Sequence, residues 1–167
     1  MVKLGFIGYG YWGPNLVRNF YATKDAQVVK VCDLRKERLK LVETSYPSVK
    51  TATDYKDLVR DPQIDAIVIS TPVSTHFPLA QEAFENGKHV MLEKPMTATV
   101  EESEKLIELA EKKKKILMVD HTFLYTGAVR KMKQLVDSGE LGDIYYFDSV
   151  RVNLGLFQHD VNVIWDL

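Results

Sequence analysis

The sequence has only one cysteine, Cys32, and no excess of charge of either sign. One thiol excludes an internal disulfide, and because Cys32 lies inside an apolar run, we expect a buried side chain without a catalytic function. The 23 acidic residues almost cancel the 22 Lys and Arg residues. This balance gives no support to a nucleic-acid partner or to binding at a charged membrane surface.

Long apolar segments are also absent. No stretch approaches the roughly 18 consecutive apolar residues of a membrane-spanning helix. The sequence starts directly with a strand-like segment, without the charged and then apolar parts of a signal peptide. Together with the single thiol, these absences predict a cytoplasmic protein without a membrane partner. No spacing of cysteine and histidine indicates a metal site.

What the sequence does contain is a regular alternation of short apolar segments and amphipathic helices. The apolar segments predict strands at VKLGFIG, AQVVKVCD, Val49, IDAIVIST, KHVMLE and KILMVD. Helices are expected between them, at about 14–21, 34–44, 55–59, 77–86 and from Thr99 onward. Thr99 and Glu102 have the spacing of a capping box. This order predicts β-α-β units and a doubly wound parallel Rossmann sheet of the α/β class, covered on both faces.

The pattern changes after about residue 122. A helix is predicted over about 127–137, and the segment DIYYFDSVRVN, residues 143–153, alternates in the manner of a half-exposed strand. We predict a dinucleotide-binding Rossmann domain over 1–122. Residues 123–167 would be the beginning of a C-terminal α/β domain, because about forty residues are too few for a sheet-based domain.

A glycine-rich turn follows the first strand. Gly8, Gly10 and Gly13 stand in the spacing G-x-G-x-x-G, with Tyr11 and Trp12 between them. In dinucleotide-binding folds, such glycines allow a tight turn, the approach of a pyrophosphate and close packing of the next helix. The start of that helix supplies free N–H groups to the phosphates. A purely structural turn and the glycine-rich turn of a methyltransferase are the alternatives.

An acid follows the second strand at the expected distance, since Asp33 lies twenty residues after Gly13. Such a carboxylate accepts hydrogen bonds from the adenosine ribose hydroxyls. Asp33 favours NAD over NADP, because a carboxylate repels a 2′-phosphate. Arg35, two residues further on, is able to accept that phosphate.

Three later strands end in polar residues, in STP, EKP and DHT. The carboxyl ends of parallel strands meet at one edge of a sheet, where ligands bind. We therefore expect one ligand-binding rim that includes Thr71, Pro72, His76, Glu93, Lys94 and His121. His76 has an alternative as a residue of the first helical turn, and His121 as a hydrogen-bonding residue between domains. No role is assigned to His159.

The order of these motifs, from the glycine turn through Asp33, STPVSTH, EKP and DHTFLY, resembles the glucose–fructose oxidoreductase and inositol dehydrogenase family (Gfo/Idh/MocA). Its most specific element is EKP, residues 93–95. The resemblance implies NAD(P)-dependent hydride transfer at a sugar, nucleotide-sugar or polyol hydroxyl. It also implies a homo-oligomer formed through the open sheet of the C-terminal domain.

The resemblance places Lys94 beside the nicotinamide and the reacting hydroxyl, and it implies a cis bond between Lys94 and Pro95. The family's D-x-x-x-H motif matches Asp166, and its histidine, the expected general base, would fall beyond Leu167. We therefore expect a fragment that binds cofactor but lacks this base. The alternatives are a minimal enzyme, a non-catalytic dinucleotide sensor or regulatory protein, and a partner-binding Rossmann module.

The predicted catalytic residues are thus Lys94 and Asp166. The predicted cofactor-binding residues are Gly8, Gly10, Tyr11, Trp12, Gly13, Asp33, Arg35, Thr71, Pro72, His76, Glu93 and Lys94. The predicted cofactor is NAD.

Overall fold

The computed structural model describes residues 1–150 and Trp165. These residues belong to two compact units. The first unit holds Met1–Asp120 together with Trp165, and the second holds the described residues from His121 onward. The division of the chain into domains over 1–122 and 123–167 stays a prediction.

The first unit contains one sheet of six parallel strands. The strands are β1 Val2–Ile7, β2 Ala26–Cys32, β3 Lys50–Ala52, β4 Ala66–Ile69, β5 His89–Leu92 and β6 Leu117–Val119. Their spatial order is β3-β2-β1-β4-β5-β6. The strand order therefore reverses between β1 and β4, and the predicted doubly wound α/β fold is confirmed.

Five helices connect the strands of this sheet: α1 Gly13–Tyr21, α2 Lys36–Ser45, α3 Lys56–Val59, α4 His76–Glu85 and α5 Val100–Lys113. The second unit holds α6, Gly127–Asp137. Short 3₁₀ turns span Val73–Thr75 and Thr122–Tyr125. No helix among the described residues combines the length and the apolar character needed to cross a bilayer.

Local sequence signals explain where α5 starts and where α4 ends. Thr99 Oγ1 accepts a hydrogen bond from the Glu102 N–H at 3.2 Å, and Glu102 Oε2 accepts one from the Ala98 N–H at 3.2 Å, so the predicted capping box forms. Past the end of α4, Gly87 has φ +75°, a conformation that glycine adopts without steric cost.

The core consists of two apolar clusters on the two faces of the sheet. Neighbouring residues of β4 alternate between them, with Ile67 and Ile69 in one cluster and Val68 in the other. Cys32 is buried in the first cluster, as expected. Burial, followed by the negative charge of Asp33, raises the pKa of the Cys32 thiol to about 12.

The strand predicted over 143–153 is wrong where the structure describes it. Residues 143–150 form no strand, and residues 151–153 lie outside the described part of the chain. Ile144, Tyr146 and Phe147 are 54%, 85% and 79% exposed. An alternating pattern makes a strand only when a neighbouring strand takes up its backbone hydrogen bonds. None of the six described strands pairs with this segment.

Candidate functional site

The glycine-rich turn between β1 and α1 is held by the backbone of the protein itself. Gly8 has φ +99°, and its N–H donates to the Cys32 carbonyl at 2.8 Å. Its carbonyl accepts a hydrogen bond from Ser70 Oγ at 2.9 Å. A Cβ on Gly8 would lie 2.5 Å from the Ser70 carbonyl oxygen, and one on Gly13 would lie 2.4 Å from the Gly8 carbonyl oxygen. The turn therefore requires glycine at both positions.

Gly10 differs from its two neighbours. A Cβ at this position would meet only Arg35 Nη2, at 3.5 Å, which is ordinary van der Waals contact. The protein alone thus has room for a side chain at Gly10. A pyrophosphate that lies against the backbone would need that room. The turn therefore fits a dinucleotide phosphate.

The start of α1 has the features of an anion site. Trp12 precedes the helix without a side-chain cap, Pro14 occupies its first turn, and no acidic residue lies in that turn. Pro14 has no N–H and the Asn15 N–H bonds to the Trp12 carbonyl at 2.9 Å, so the N–H groups that precede Pro14 and the positive end of the helix dipole are available to a negative ligand. Tyr11 and Trp12 are 78% and 40% exposed, at the outside of the turn.

Asp33 connects the end of β2 to the glycine turn. Its Oδ2 accepts a hydrogen bond from the Tyr9 N–H at 2.8 Å, and its Oδ1 accepts one from the Arg35 N–H at 2.9 Å. The Arg35 guanidinium adds hydrogen bonds from Nε at 3.0 Å and Nη2 at 3.2 Å. Asp33 thus has a structural function that its position in the sequence did not reveal.

Asp33 and Arg35 carry opposite charges and are buried to different extents. Burial raises the pKa of Asp33, but hydrogen bonds from the side chain and backbone of Arg35 and from Tyr9 outweigh it, so the pKa is below its usual value. Asp33 is 8% exposed, whereas the Arg35 side chain is 50% exposed. An ionised carboxylate and a half-exposed cation therefore lie side by side at the end of β2.

His76 joins the loops that follow β4 and β5. It is the first residue of α4 and is buried. Its Nε2 lies 2.9 Å from the Thr71 carbonyl oxygen, and its Nδ1 lies 3.0 Å from the Pro95 carbonyl oxygen. The structure thus places His76, Thr71 and Pro72 at one edge of the sheet. A contact between these residues and a cofactor stays a prediction.

The strand β5 continues into EKP at the same edge. The Glu93 N–H donates to the Ile69 carbonyl at 2.9 Å, which extends the pairing with β4 by one residue. The Lys94 N–H donates to Glu93 Oε2 at 3.1 Å, and the Lys94 side chain is exposed. The bond between Lys94 and Pro95 is cis, as the family resemblance implied.

Glu93 faces a second acid, Asp120, which the sequence did not single out as a site residue. Leu92 pairs with Val119, and the Asp120 N–H donates to the Leu92 carbonyl at 2.8 Å. Burial, a hydrogen bond with Asp120 and its negative charge raise the pKa of Glu93 to about 8. Both acids directly follow adjacent apolar strands, and this was the signal that could have identified the pair.

Trp165 is the other residue that sequence reasoning missed. Its indole Nε1 donates to the Thr97 carbonyl at 2.8 Å, on the loop after EKP. An indole N–H that is partly removed from solvent needs such an acceptor, but the sequence does not say which one. Asp166 and His159 lie outside the described residues. His121 belongs to the second unit and is exposed, and its role stays a prediction.

Comparison with known proteins identifies relatives of the chain. The model of an oxidoreductase family with an NAD-binding Rossmann fold, Gfo/Idh/MocA, matches residues 2–121. The uncharacterized oxidoreductase YdgJ of Escherichia coli is 36% identical over 148 residues, which cover 89% of this chain and 42% of YdgJ. The scyllo-inositol 2-dehydrogenase (NADP(+)) IolW of Bacillus subtilis is 29% identical, over 98% of this chain and 44% of IolW.

A solved structure agrees with these relatives. Apo scyllo-inositol dehydrogenase from Lactobacillus casei superposes with a TM-score of 0.79 at 25% identity, over 86% of this chain and 43% of that protein. The chain thus spans less than half the length of the relatives it matches. The matched region contains the whole parallel sheet and the glycine-rich turn. The chain belongs to the Gfo/Idh/MocA family of oxidoreductases, with an NAD-binding Rossmann fold, and is related to inositol dehydrogenases.

Proposed function

We propose that the glycine-rich turn after β1 and the loops after β4 and β5 form the cofactor-binding side of an NAD(P)-dependent dehydrogenase. This enzyme would act on a sugar, nucleotide-sugar or polyol hydroxyl. The observation that carries the proposal is the glycine turn. Gly8 and Gly13 are required by the protein's own packing, whereas the room at Gly10 has no use in the protein alone. The names of the two scyllo-inositol dehydrogenase relatives support a polyol among the substrate classes.

A bound nicotinamide cofactor would supply the hydride acceptor. In this proposal the backbone of the turn, with Gly10 at its centre, and the start of α1 bind the pyrophosphate. Asp33 accepts hydrogen bonds from the adenosine ribose. Tyr11 and Trp12, exposed at the outside of the turn, cover the bound dinucleotide.

The reacting end of the site is proposed at the loops after β4 and β5. Thr71, Pro72 and His76 line the nicotinamide pocket, and Glu93 contributes to it. Lys94 donates a hydrogen bond to the substrate oxygen and stabilises its negative charge as the hydroxyl proton leaves. Asp166 would act with the histidine of the D-x-x-x-H motif, the general base.

We propose NAD as the preferred cofactor. Asp33 has a lowered pKa, so it is ionised at neutral pH and repels a 2′-phosphate. Arg35 is half exposed, so it can leave Asp33 and meet such a phosphate. The relative IolW is named for NADP(+), and a weaker affinity for NADP is therefore expected alongside the preference for NAD.

The test is a fluorescence titration of the 167-residue chain with NADH and with NADPH. We expect saturable enhancement with both and a lower Kd for NADH. Arg35→Ala should weaken NADPH binding several-fold more than NADH binding, because it removes the cation that meets the 2′-phosphate. Arg18→Ala, an exposed arginine in the last turn of α1, is the matched control and should change neither Kd. If neither nucleotide binds, the proposal fails.

We propose that these residues alone bind cofactor without efficient turnover, because the general base is not among them. An assay of inositol oxidation with the pure chain would contradict this if it showed normal turnover.

A cytoplasmic location and a homo-oligomer are proposed as well. The buried, unpaired thiol of Cys32 supports the first, and the family resemblance supports the second. Sedimentation velocity tests the oligomeric state.

A further inference from the structure

The carboxyl groups of Glu93 and Asp120 are brought together by the sheet. The pairing of Leu92 with Val119 makes Glu93 and Asp120 the next pair along two neighbouring strands. Side chains at paired positions of parallel strands point to the same face, and the strands lie about 4.8 Å apart. Asp120 is 9% exposed, so its carboxyl group is largely removed from solvent.

The hydrogen bonding of this pair is incomplete unless one carboxyl group is protonated. Glu93 Oε2 accepts from the Lys94 N–H at 3.1 Å. The other oxygen of Glu93, Oε1, is buried, and among the described residues no N–H group donates to it, so the hydrogen bond with Asp120 needs a proton on one of the two carboxyl groups. An ionised carboxylate has only acceptors, so two of them cannot hydrogen-bond each other. One proton on Oε1, donated to Asp120, satisfies both groups.

We propose that Glu93 and Asp120 hold a single proton between them, and that Asp120 is thereby a positioning residue that acts through Glu93 on the backbone of Lys94. In this arrangement the protonated Glu93 connects Asp120, at the end of β6, to the N–H group of Lys94. The consequence for hydride transfer rests on the function proposed for Lys94. The shared proton itself does not depend on that function.

The groups around Glu93 agree with one retained proton. Asp120 disfavours ionisation of Glu93, and burial acts in the same direction, whereas Lys94 opposes both. On the β4 side the strand ends in Ser70 and Thr71, which do not titrate near neutral pH. The ring nitrogens of His76, on α4, face the carbonyls of Thr71 and Pro95. Loss of the proton would leave two adjacent carboxylates, which repel each other.

The experiment is an NMR titration of the 167-residue chain, with the Glu93 carboxyl carbon and the Lys94 amide as the two probes. We expect both signals to move together with a midpoint of about 8. In Asp120→Asn the new amide N–H donates to an ionised Glu93, so both midpoints should move to a clearly lower pH. Asp143→Asn, at an exposed position in the second unit, is the control and should leave both midpoints unchanged.

The proposal is wrong if Glu93 titrates in the ordinary carboxylic-acid range, or if the Lys94 amide does not follow it. An unchanged midpoint in Asp120→Asn would also overturn it. If Asp120→Asn fails to fold, Glu93→Gln replaces it, and the Lys94 transition should then disappear. The titration needs no cofactor, so its outcome is independent of whether the chain binds NADH.

Discussion

The glycines of the turn after β1 have two distinct functions. At Gly8 and Gly13 an added Cβ would lie within 2.5 Å of a backbone oxygen, so folding itself selects glycine. At Gly10 the nearest group is the end of the Arg35 side chain, at 3.5 Å. A Cβ added at Gly8 therefore tests the stability of the turn, whereas a Cβ added at Gly10 tests its capacity to bind a phosphate.

Gly10→Ala should leave the free energy of unfolding within about 1 kcal/mol of the unaltered chain, or raise it slightly, because alanine restricts the unfolded state. The same substitution should weaken NADH binding by at least about tenfold, since the methyl group occupies the space of the pyrophosphate. Urea unfolding and NADH titration measure the two effects.

Gly8→Ala is the matched variant, and it should destabilise the fold by about 1–3 kcal/mol or more, because the residue has a positive φ and the Cβ meets the Ser70 carbonyl. Equal stability of the two variants would contradict the assignment of Gly8. Unchanged NADH binding in Gly10→Ala would contradict the assignment of Gly10.

Residue spacing predicted Asp33 and EKP, but it did not predict their partners. Asp33 was expected to face a ribose, and the structure shows that it also holds the Tyr9 N–H and the Arg35 guanidinium. Asp120 directly follows its strand, as Glu93 does, but it was passed over because the spacing of residues along one strand does not show which strand lies beside it. That β5 and β6 are neighbours, with Leu92 opposite Val119, follows from the order of the whole sheet.

Among the described helices, α1 and α5 illustrate two ways to start a helix. The start of α5 is closed by Thr99, whose hydroxyl accepts the Glu102 N–H. The start of α1 has no side-chain cap. Because α2, α3, α4 and α6 have no side-chain cap either, the uncapped start of α1 points to an anion only together with the glycine turn that precedes it.

Thr99→Ala should therefore destabilise the chain by about 1 kcal/mol, through the loss of one cap. Thr44→Ala is the control, because the Thr44 hydroxyl is exposed within α2 and donates only to the Lys40 carbonyl one turn earlier. Its effect should stay within about 0.5 kcal/mol. Equal losses in the two variants, measured by thermal or urea unfolding, would argue against the cap as the cause.

Periodicity predicted the elements of the first unit because each apolar face meets a partner there. All six strands and the helices between them lie within a few residues of their expected positions. The same reasoning failed at 143–150, where the alternation is as clear but no described strand pairs with it. Alternation along a segment shows that it is able to pair as a strand, but whether a partner strand lies beside it depends on the rest of the fold.

On the scale of the whole molecule, the reversal of strand order between β1 and β4 separates the loops that follow them. In open α/β sheets this is the place where ligands bind. The glycine turn after β1 and EKP after β5 are thus held at the same edge by rigid strands. The partly buried acid pair Glu93 and Asp120 at this edge also makes the stability of the molecule depend on pH.

The pKa of Glu93 is raised by folding to about 8, so its contribution to stability is present below the ordinary glutamate pKa and is lost as the pH rises toward 8. Glu93→Gln removes this dependence. The free energy of unfolding of the variant, relative to that of the unaltered chain, should be higher at pH 8 than at pH 5. The difference should be on the order of 2 kcal/mol after allowance for partial solvent screening.

Urea unfolding at the two pH values measures this gain. Glu108→Gln, at an exposed position on α5, should show no such trend. Parallel pH profiles for Glu93→Gln and the unaltered chain would mean that Glu93 ionises normally in the folded protein. The lowered pKa of Asp33 acts in the opposite direction and at lower pH, so it does not mask the effect.

The hydrogen bond from Trp165 to Thr97 has a spectroscopic consequence. The chain has only two tryptophans, and the other, Trp12, lies in the glycine turn. One indole therefore stands at the turn proposed to bind the pyrophosphate, and the other at the loop that follows EKP. Tryptophan emits where reduced nicotinamide absorbs, so each indole is a built-in energy-transfer donor. Single Trp→Phe replacements would allow the distance of the bound nicotinamide ring from each of the two indoles to be observed separately, without any added label.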